Sequence, residues 1–212
     1  MAAAAKEGET RRHVLDCAAR LFSREGYAAV SLRGIAAESG IKAGSLYYHF
    51  ESKEEIVIEI LNVGVQLVHA AVERAIGALP PQAPVAQGIG VAMEAHLQAL
   101  HKASDYTSAN IRIFGQLPQS VQNAHRPVRR SYDLLWSELL GRGVRSGELR
   151  DDINIPRLRA FLLGAMNASL EWYNPKSVSV ARLASDLAAV VLYGAAYAAP
   201  LAAPGPALAR KA

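Results

Sequence analysis

The apolar positions along this chain recur with a helical period, and no strand-like alternation persists anywhere in it. In the first segment Val14, Cys17, Ala18, Leu21 and Phe22 fall at i, i+3, i+4, i+7 and i+8, one face of a helix over residues 10–24. Gly26, free to take positive φ, ends it. Ser31 is placed to cap a second short helix carrying Leu32, Ile35 and Ala36. A third helix is predicted over 43–49, with Leu46 and Phe50 turned inward. Ser52 then caps a long fourth helix through Ile56, Ile60, Val63 and Leu67.

"GALPPQAPVAQG", residues 77–88, is the clearest linker. Beyond it the pattern predicts helices at 89–102, 106–115, 119–146, 156–172 and 178–198, punctuated by Pro118, Gly147, Pro156 and "NPKS" at 174–177. Pro127 falls within the longest and is expected to start or kink it. The class is therefore all-α: a three-helix N-terminal domain over 1–54, a larger helical domain over 55–199, and an Ala/Pro-rich, disordered tail over 200–212.

Composition narrows the class. Of 212 residues, 51% are hydrophobic and 20% charged, an ordinary globular balance. One cysteine, Cys17, leaves no internal disulfide and points to a reducing, cytoplasmic setting, where it is an inert core thiol. The N-terminus has no signal-peptide core. The charge-free run at 187–203 is mostly alanine and reads as a buried helix and a loose end, with no membrane partner. Net charge is +4, but residues 1–53 carry eight Lys/Arg against six Asp/Glu, so bulk charge does not mark a binding surface there.

Spacing marks it instead. A tight helix–turn–helix needs a small residue where the axes cross, a left-handed position in the turn and an apolar residue facing back. Ala36, Gly40 and Leu46 supply them in that order. The second of these helices, in "IKAGSLYYHFESKEE" (41–55), crowds hydrogen-bonding aromatics where a core would want leucine and a solvated face would want charge.

The stretch "SLRGIAAESGIKAGSLYYHFESKEEI", residues 31–56, resembles the TetR family of bacterial one-component repressors in its joint Gly, Leu-Tyr, Phe and Ser-Lys-Glu spacing. Ser45 stands where threonine is commoner in that family, and Lys42-Ala43 occupies a variable pair that helps set operator choice. The resemblance implies a recognition helix carrying Lys42, Ala43, Gly44, Ser45, Tyr47 and His49 into the major groove of double-stranded operator DNA. Tyr48 either joins them or packs inward. Gly44 lets backbone approach phosphate, and Ser31 and Ser52 cap helices whose N-termini can face phosphates. Arg33, Lys53 and the pair Arg11 and Arg12 are phosphate candidates, Lys53 because a cation in a first helical turn opposes the dipole unless an anion lies there.

The resemblance also implies a homodimer whose last two helices pair as a four-helix bundle, with Leu183, Leu187, Val190, Val191 and Gly194 at the seam. It implies a ligand domain. Asn110, Phe114, Trp136, Asn167, Glu171 and Trp172 mix polar and large apolar groups in a way that suits an apolar-tailed effector. Segments 109–118 and 162–175 look like those of members that sense acyl-CoA thioesters, with Arg126, Arg129, Arg130 and Arg159 available to its phosphates. A multidrug-responsive repressor is the alternative, and a helical interaction module without DNA binding is the alternative of another class. No enzyme, metal or cofactor signature occurs: "GIG" and "GRGVRSG" fall short of G-x-G-x-x-G, and the histidines stand at no ligand spacing.

Overall fold

The computed structural model describes residues 2–102 and 104–195; the expected end of the last helix and the expected tail over 200–212 lie outside them. Among the described residues the regular elements are all helical: α1 (Ala2–Glu25), α2 (Leu32–Glu38), α3 (Ala43–His49), α4 (Lys53–Gly77), α5 (Val85–Lys102), α6 (Ser104–Ile113), α7 (Gln119–Arg145), α8 (Ile155–Trp172) and α9 (Val180–Ala195). A single 3₁₀ turn, Phe114–Gln116, joins α6 to α7.

Local chemistry sets the first boundaries. Gly26 leaves α1 at φ 81°. Ser31 Oγ accepts from the Gly34 N–H and Ser52 Oγ from the Glu55 N–H, the two caps expected. α2 ends in a Schellman turn: Gly40 at φ 65°, its N–H on the Ala37 carbonyl and that of Ile41 on the Ala36 carbonyl. Ala36 and Leu46 are buried together beneath the turn.

Two apolar cores are stacked along α4. The first holds Val14, Phe22, Ile35, Leu46 and Phe50 with Ile56, Val57, Ile60 and Leu61, and is closed by Ala109 and Ile113 of α6, Val121 of α7 and Leu117 between them. It thus draws on residues well beyond position 54. The second gathers Val68 and Val72 of α4 with Ile89, Met93, Leu97, Trp136, Leu140, Leu162, Met166 and Leu183. By length and composition α4 is apolar enough to cross a membrane, but its apolar residues fill both cores. Midway, Gly64 meets α6 so closely that a Cβ would lie 2.8 Å from the Tyr106 carbonyl oxygen.

Three expectations need correction. The linker is shorter than 77–88, because α5 begins at Val85, where the Glu148 carboxylate accepts from the Val85 and Ala86 N–H groups at 3.0 Å each. A cap supplied by so distant a residue leaves no local signal. Of the two outcomes expected at Pro127, a helix start is excluded: α7 runs through it, with its ring on the exposed side. On α9, Leu183 and Val191 face this chain's own core with Ala184 and Ala188, so they are not free to form a seam. The outward positions are Val190 and Tyr193, 67% and 83% exposed; Phe161 and Trp172 of α8 are exposed as well.

Candidate functional site

The turn between α2 and α3 presents a continuous outer face. Arg33, Lys42, Ala43, Gly44, Ser45, Tyr47 and Tyr48 are exposed, Ser31 flanks them, and His49 is half-buried with its ring edge-on to Tyr48 at 5.3 Å. Tyr48, for which packing inward was an open reading, points out at 75% exposure. Among the described residues neither Arg33 nor Lys42 has an ion-pair partner. Among the described residues, apart from its chain neighbours and its own helix backbone, no atom lies within 4 Å of where a Gly44 Cβ would sit, and its φ is not positive, so the fold does not itself require glycine there. Cations without partners, exposed tyrosines and a dispensable glycine on one face are what a polyanion with base edges would need from a protein.

Two expected phosphate contacts are otherwise engaged. Lys53 Nζ donates to the Tyr27 and Val30 carbonyls at 2.8 Å each and sits 3.9 Å over the Tyr27 ring. These carbonyls, not an anion, explain a cation in the first turn of α4, and burial holds its pKa below the usual lysine value. The Tyr27 hydroxyl, in turn, donates to Glu54 at 2.8 Å. Arg11 pairs with Glu55 at 3.2 Å and with Glu59, its guanidinium over the Phe50 ring, so it clamps α1 to α4. Arg12 stays exposed.

Behind this unit lies a cavity of about 100 Å³ between α4, α5, α6, α7 and α8. Gly64, Val65, Val68, Leu100, Ile111 and Leu163 form its apolar wall; His96, Thr107, Asn110, Arg129, Tyr132, Asp133 and Asn167 are its polar members. His96 Nδ1 lies 2.7 Å from the Tyr132 hydroxyl and Nε2 3.2 Å from Asn167 Oδ1. Burial drives the His96 imidazole down to about 4, so the ring is neutral, and it pushes the Tyr132 phenol upward. A second buried imidazole, His125, also at about 4 through burial and then the nearby Arg129 charge, bonds Asn62 at 2.8 Å beside Asn110.

Of the six residues expected to take an effector, Asn110 and Asn167 reach the cavity. Phe114 lies under the Arg129 guanidinium, 4.3 Å from ring centroid to cation, and packs on the first core. Trp136 is fully buried core. Glu171 is exposed and pairs with Arg112 at 3.6 Å, and Trp172 is 56% exposed on the outer side of α8. Glu171 lies one turn beyond Asn167 on nearly the same side of α8, past the cavity and paired with Arg112 of α6, whereas the helix phase of Trp172 turns it outward. Sequence reading missed His96 and Tyr132. The available signal was a histidine set in the apolar stripe Ala92, Met93, Leu97, Leu100.

Comparison with known proteins agrees with this division. Residues 14–60 match the family described as "Bacterial regulatory proteins, tetR family", and residues 82–195 match "Tetracyclin repressor-like, C-terminal domain". The HTH-type transcriptional repressor KstR2 of Rhodococcus jostii (strain RHA1) is 30% identical over 194 residues, 88% of this chain and 91% of that protein. Two solved structures share the fold. The ketosteroid transcriptional regulator KstR2 of Mycobacterium tuberculosis has a TM-score of 0.75 at 24% identity, over 89% of this chain and 95% of that one. AibR in complex with isovaleryl coenzyme A and operator DNA has a TM-score of 0.72 at 20% identity, over 85% and 97%. With both parts of the chain matched and a relative spanning nearly all of it, the exposed helix–turn–helix is that of a DNA-binding transcriptional regulator, and the chain belongs to the TetR family.

Proposed function

We propose that this chain is a cytoplasmic repressor that holds a palindromic operator as a homodimer and releases it when a small apolar-tailed effector enters the C-terminal cavity. The effector we favour is an acyl-CoA thioester of lipid or steroid breakdown. One observation carries the reading. α4 begins directly after the recognition helix α3 and, three turns on, supplies Gly64, Val65 and Val68 to the cavity wall. A single helix therefore has its start beside the recognition helix and its middle in the cavity wall.

The cavity's size gives the coupling its direction. Drug-sized ligands occupy roughly 300–1,000 Å³, against about 100 Å³ here. Entry of such a ligand has to part the walls, and at Gly64 there is no slack between α4 and α6. A shift of α4 carries α3 with it and changes the separation of the two recognition helices in a dimer. By linkage, an effector that loosens DNA is loosened by DNA to the same factor, typically about 5–150-fold. Arg126, Arg129 and Arg130 remain available to coenzyme A phosphates, whereas Arg159 is committed to Asp133 at 3.6 Å and to Ser137 at 2.6 Å. The exposed apolar residues of α8 and α9, Phe161, Trp172, Val190 and Tyr193, supply the dimer surface. The repressor name of the full-length relative and the thioester held by AibR, on the same fold, favour this effector class.

The test is fluorescence anisotropy of labelled operator, recovered from genomic fragments that the purified protein retains, titrated with acyl-CoAs, free fatty acids and amphiphilic drugs. Release by thioesters at micromolar concentration is expected. Release by drugs alone would make the protein a xenobiotic-responsive repressor, and indifference to every apolar ligand would remove the effector reading.

A further inference from the structure

The polar end of the cavity has a fixed direction of hydrogen bonding, and that direction specifies what it can recognise. Among the described residues the Tyr132 hydroxyl has one acceptor within reach, His96 Nδ1 at 2.7 Å. Its proton therefore goes to His96. Trp136, one turn along α7, agrees: its indole N–H is buried without a hydrogen-bond partner, and its ring lies edge-on to that of Tyr132 at 6.4 Å. A hydroxyl that has given its proton to His96 still has lone pairs to offer that N–H. One that accepted from His96 would leave its own proton without an acceptor among the described residues.

A neutral ring that accepts at Nδ1 must donate from Nε2. The neighbour there is Asn167, at 3.2 Å, which must present its oxygen. Its amide nitrogen is thereby turned away from His96. That nitrogen has no protein partner among the described residues, and Asn167 lines the cavity. Two N–H donors are thus offered to an occupant. The carboxylate in the cavity lining, Asp133, is occupied by Arg159.

We propose that the cavity recognises its effector through a neutral carbonyl, accepted from the Asn167 amide, and that His96 is the positioning residue that fixes the direction of that amide. This rests on the effector reading above and narrows it: the carbonyl of a thioester and that of a ring ketone share the required chemistry. A saturated thioether or hydrocarbon of the same shape lacks it. Val65, Val68, Leu100 and Leu163 take the apolar remainder.

The experiment is operator release from the intact protein–DNA complex by matched pairs. Octanoyl-CoA and S-octyl-CoA differ only in the carbonyl; 1-decalone and decalin form the ring pair. In the wild type the carbonyl member of a pair should act at about 3–10-fold lower concentration, the worth of one neutral hydrogen bond. His96→Gln can still accept from Tyr132 and donate to Asn167, and should keep that ratio. His96→Leu lets the amide rotate and should bring it to about one, as should Asn167→Leu, whose half-buried site keeps the test open if His96→Leu does not fold. Melting curves confirm folding. A preference in the CoA pair alone assigns the carbonyl to a thioester; one in the ring pair alone assigns it to a ketone. Equal potency within both pairs in the wild type overturns the inference and leaves the effector reading standing. A ratio unchanged in His96→Leu removes the positioning role. Release by no compound overturns both readings.

Discussion

Replacing Lys53 by methionine separates two explanations for a cation at the start of α4. Methionine keeps the apolar stem and removes only the ammonium group. In the structure that group makes two hydrogen bonds of 2.8 Å to carbonyls of the α1–α2 connection and one contact with the Tyr27 ring. A hydrogen bond to a charged group contributes about 1.5–3 kcal/mol, and an exposed cation–π contact about 0.5–1 kcal/mol. Lys53 is half-buried, so water recovers part of each loss. A net destabilisation of about 2–4 kcal/mol remains, and at roughly 2–4 °C per kcal/mol for a chain of this size the melting temperature should fall by about 4–16 °C. Urea denaturation followed by circular dichroism measures the first quantity, and a thermal scan the second. Operator affinity of the folded fraction, measured well below the transition, should change far less than in Arg33→Ala or Lys42→Ala, which remove exposed cations without touching either core. Unchanged stability together with lost operator affinity would return Lys53 to a phosphate contact and refute the assignment made from the two carbonyls.

Gly44→Ala should leave stability unchanged or raise it by up to about 1 kcal/mol, since a helical glycine is replaced in open space, while operator affinity falls; equal affinity in a gel-shift titration would remove the close approach of DNA at α3. Tyr193→Asp should yield a folded monomer in sedimentation, because that side chain is exposed in the subunit, whereas Val191→Asp should unfold the subunit by placing a charge in its own core; a folded Val191→Asp monomer would exchange the two faces. The Val85 and Ala86 N–H groups hold the Glu148 carboxyl below its ordinary 4.5. Its stabilisation is therefore complete above that ordinary value and lost as pH falls through the lower folded one. Glu148→Gln should cost about 1 kcal/mol near neutrality and progressively less as pH falls through that lower folded value, and a penalty independent of pH would rule out the carboxylate cap.

The recognition unit was legible in the sequence because each of its determinants is local. Ser31 and Ser52 cap the N–H three residues ahead, and the Gly40 and Ile41 N–H groups close a turn on carbonyls three and five residues back, respectively. Such contacts depend on residue type and spacing, which the sequence contains. What it could not supply was the partner of a side chain that reaches across the fold. Lys53 meets carbonyls 23 and 26 residues earlier, Glu148 caps a helix more than sixty residues before it, and His96 meets Asn167 across seventy-one. Read locally, Lys53 lacked a counter-charge, Val85 looked like linker, and His96 was one scattered histidine among several. The effector site depended most on packing. Helical periodicity gives the angle of a residue around its own axis but not which neighbour lies at that angle. Asn167 therefore faces the cavity while Trp172, five residues on, faces outward. Residue type and spacing determined the helices, their caps and the DNA-reading turn; only the packing of α5 against α7 and α8 decided which polar groups meet and what they can bind.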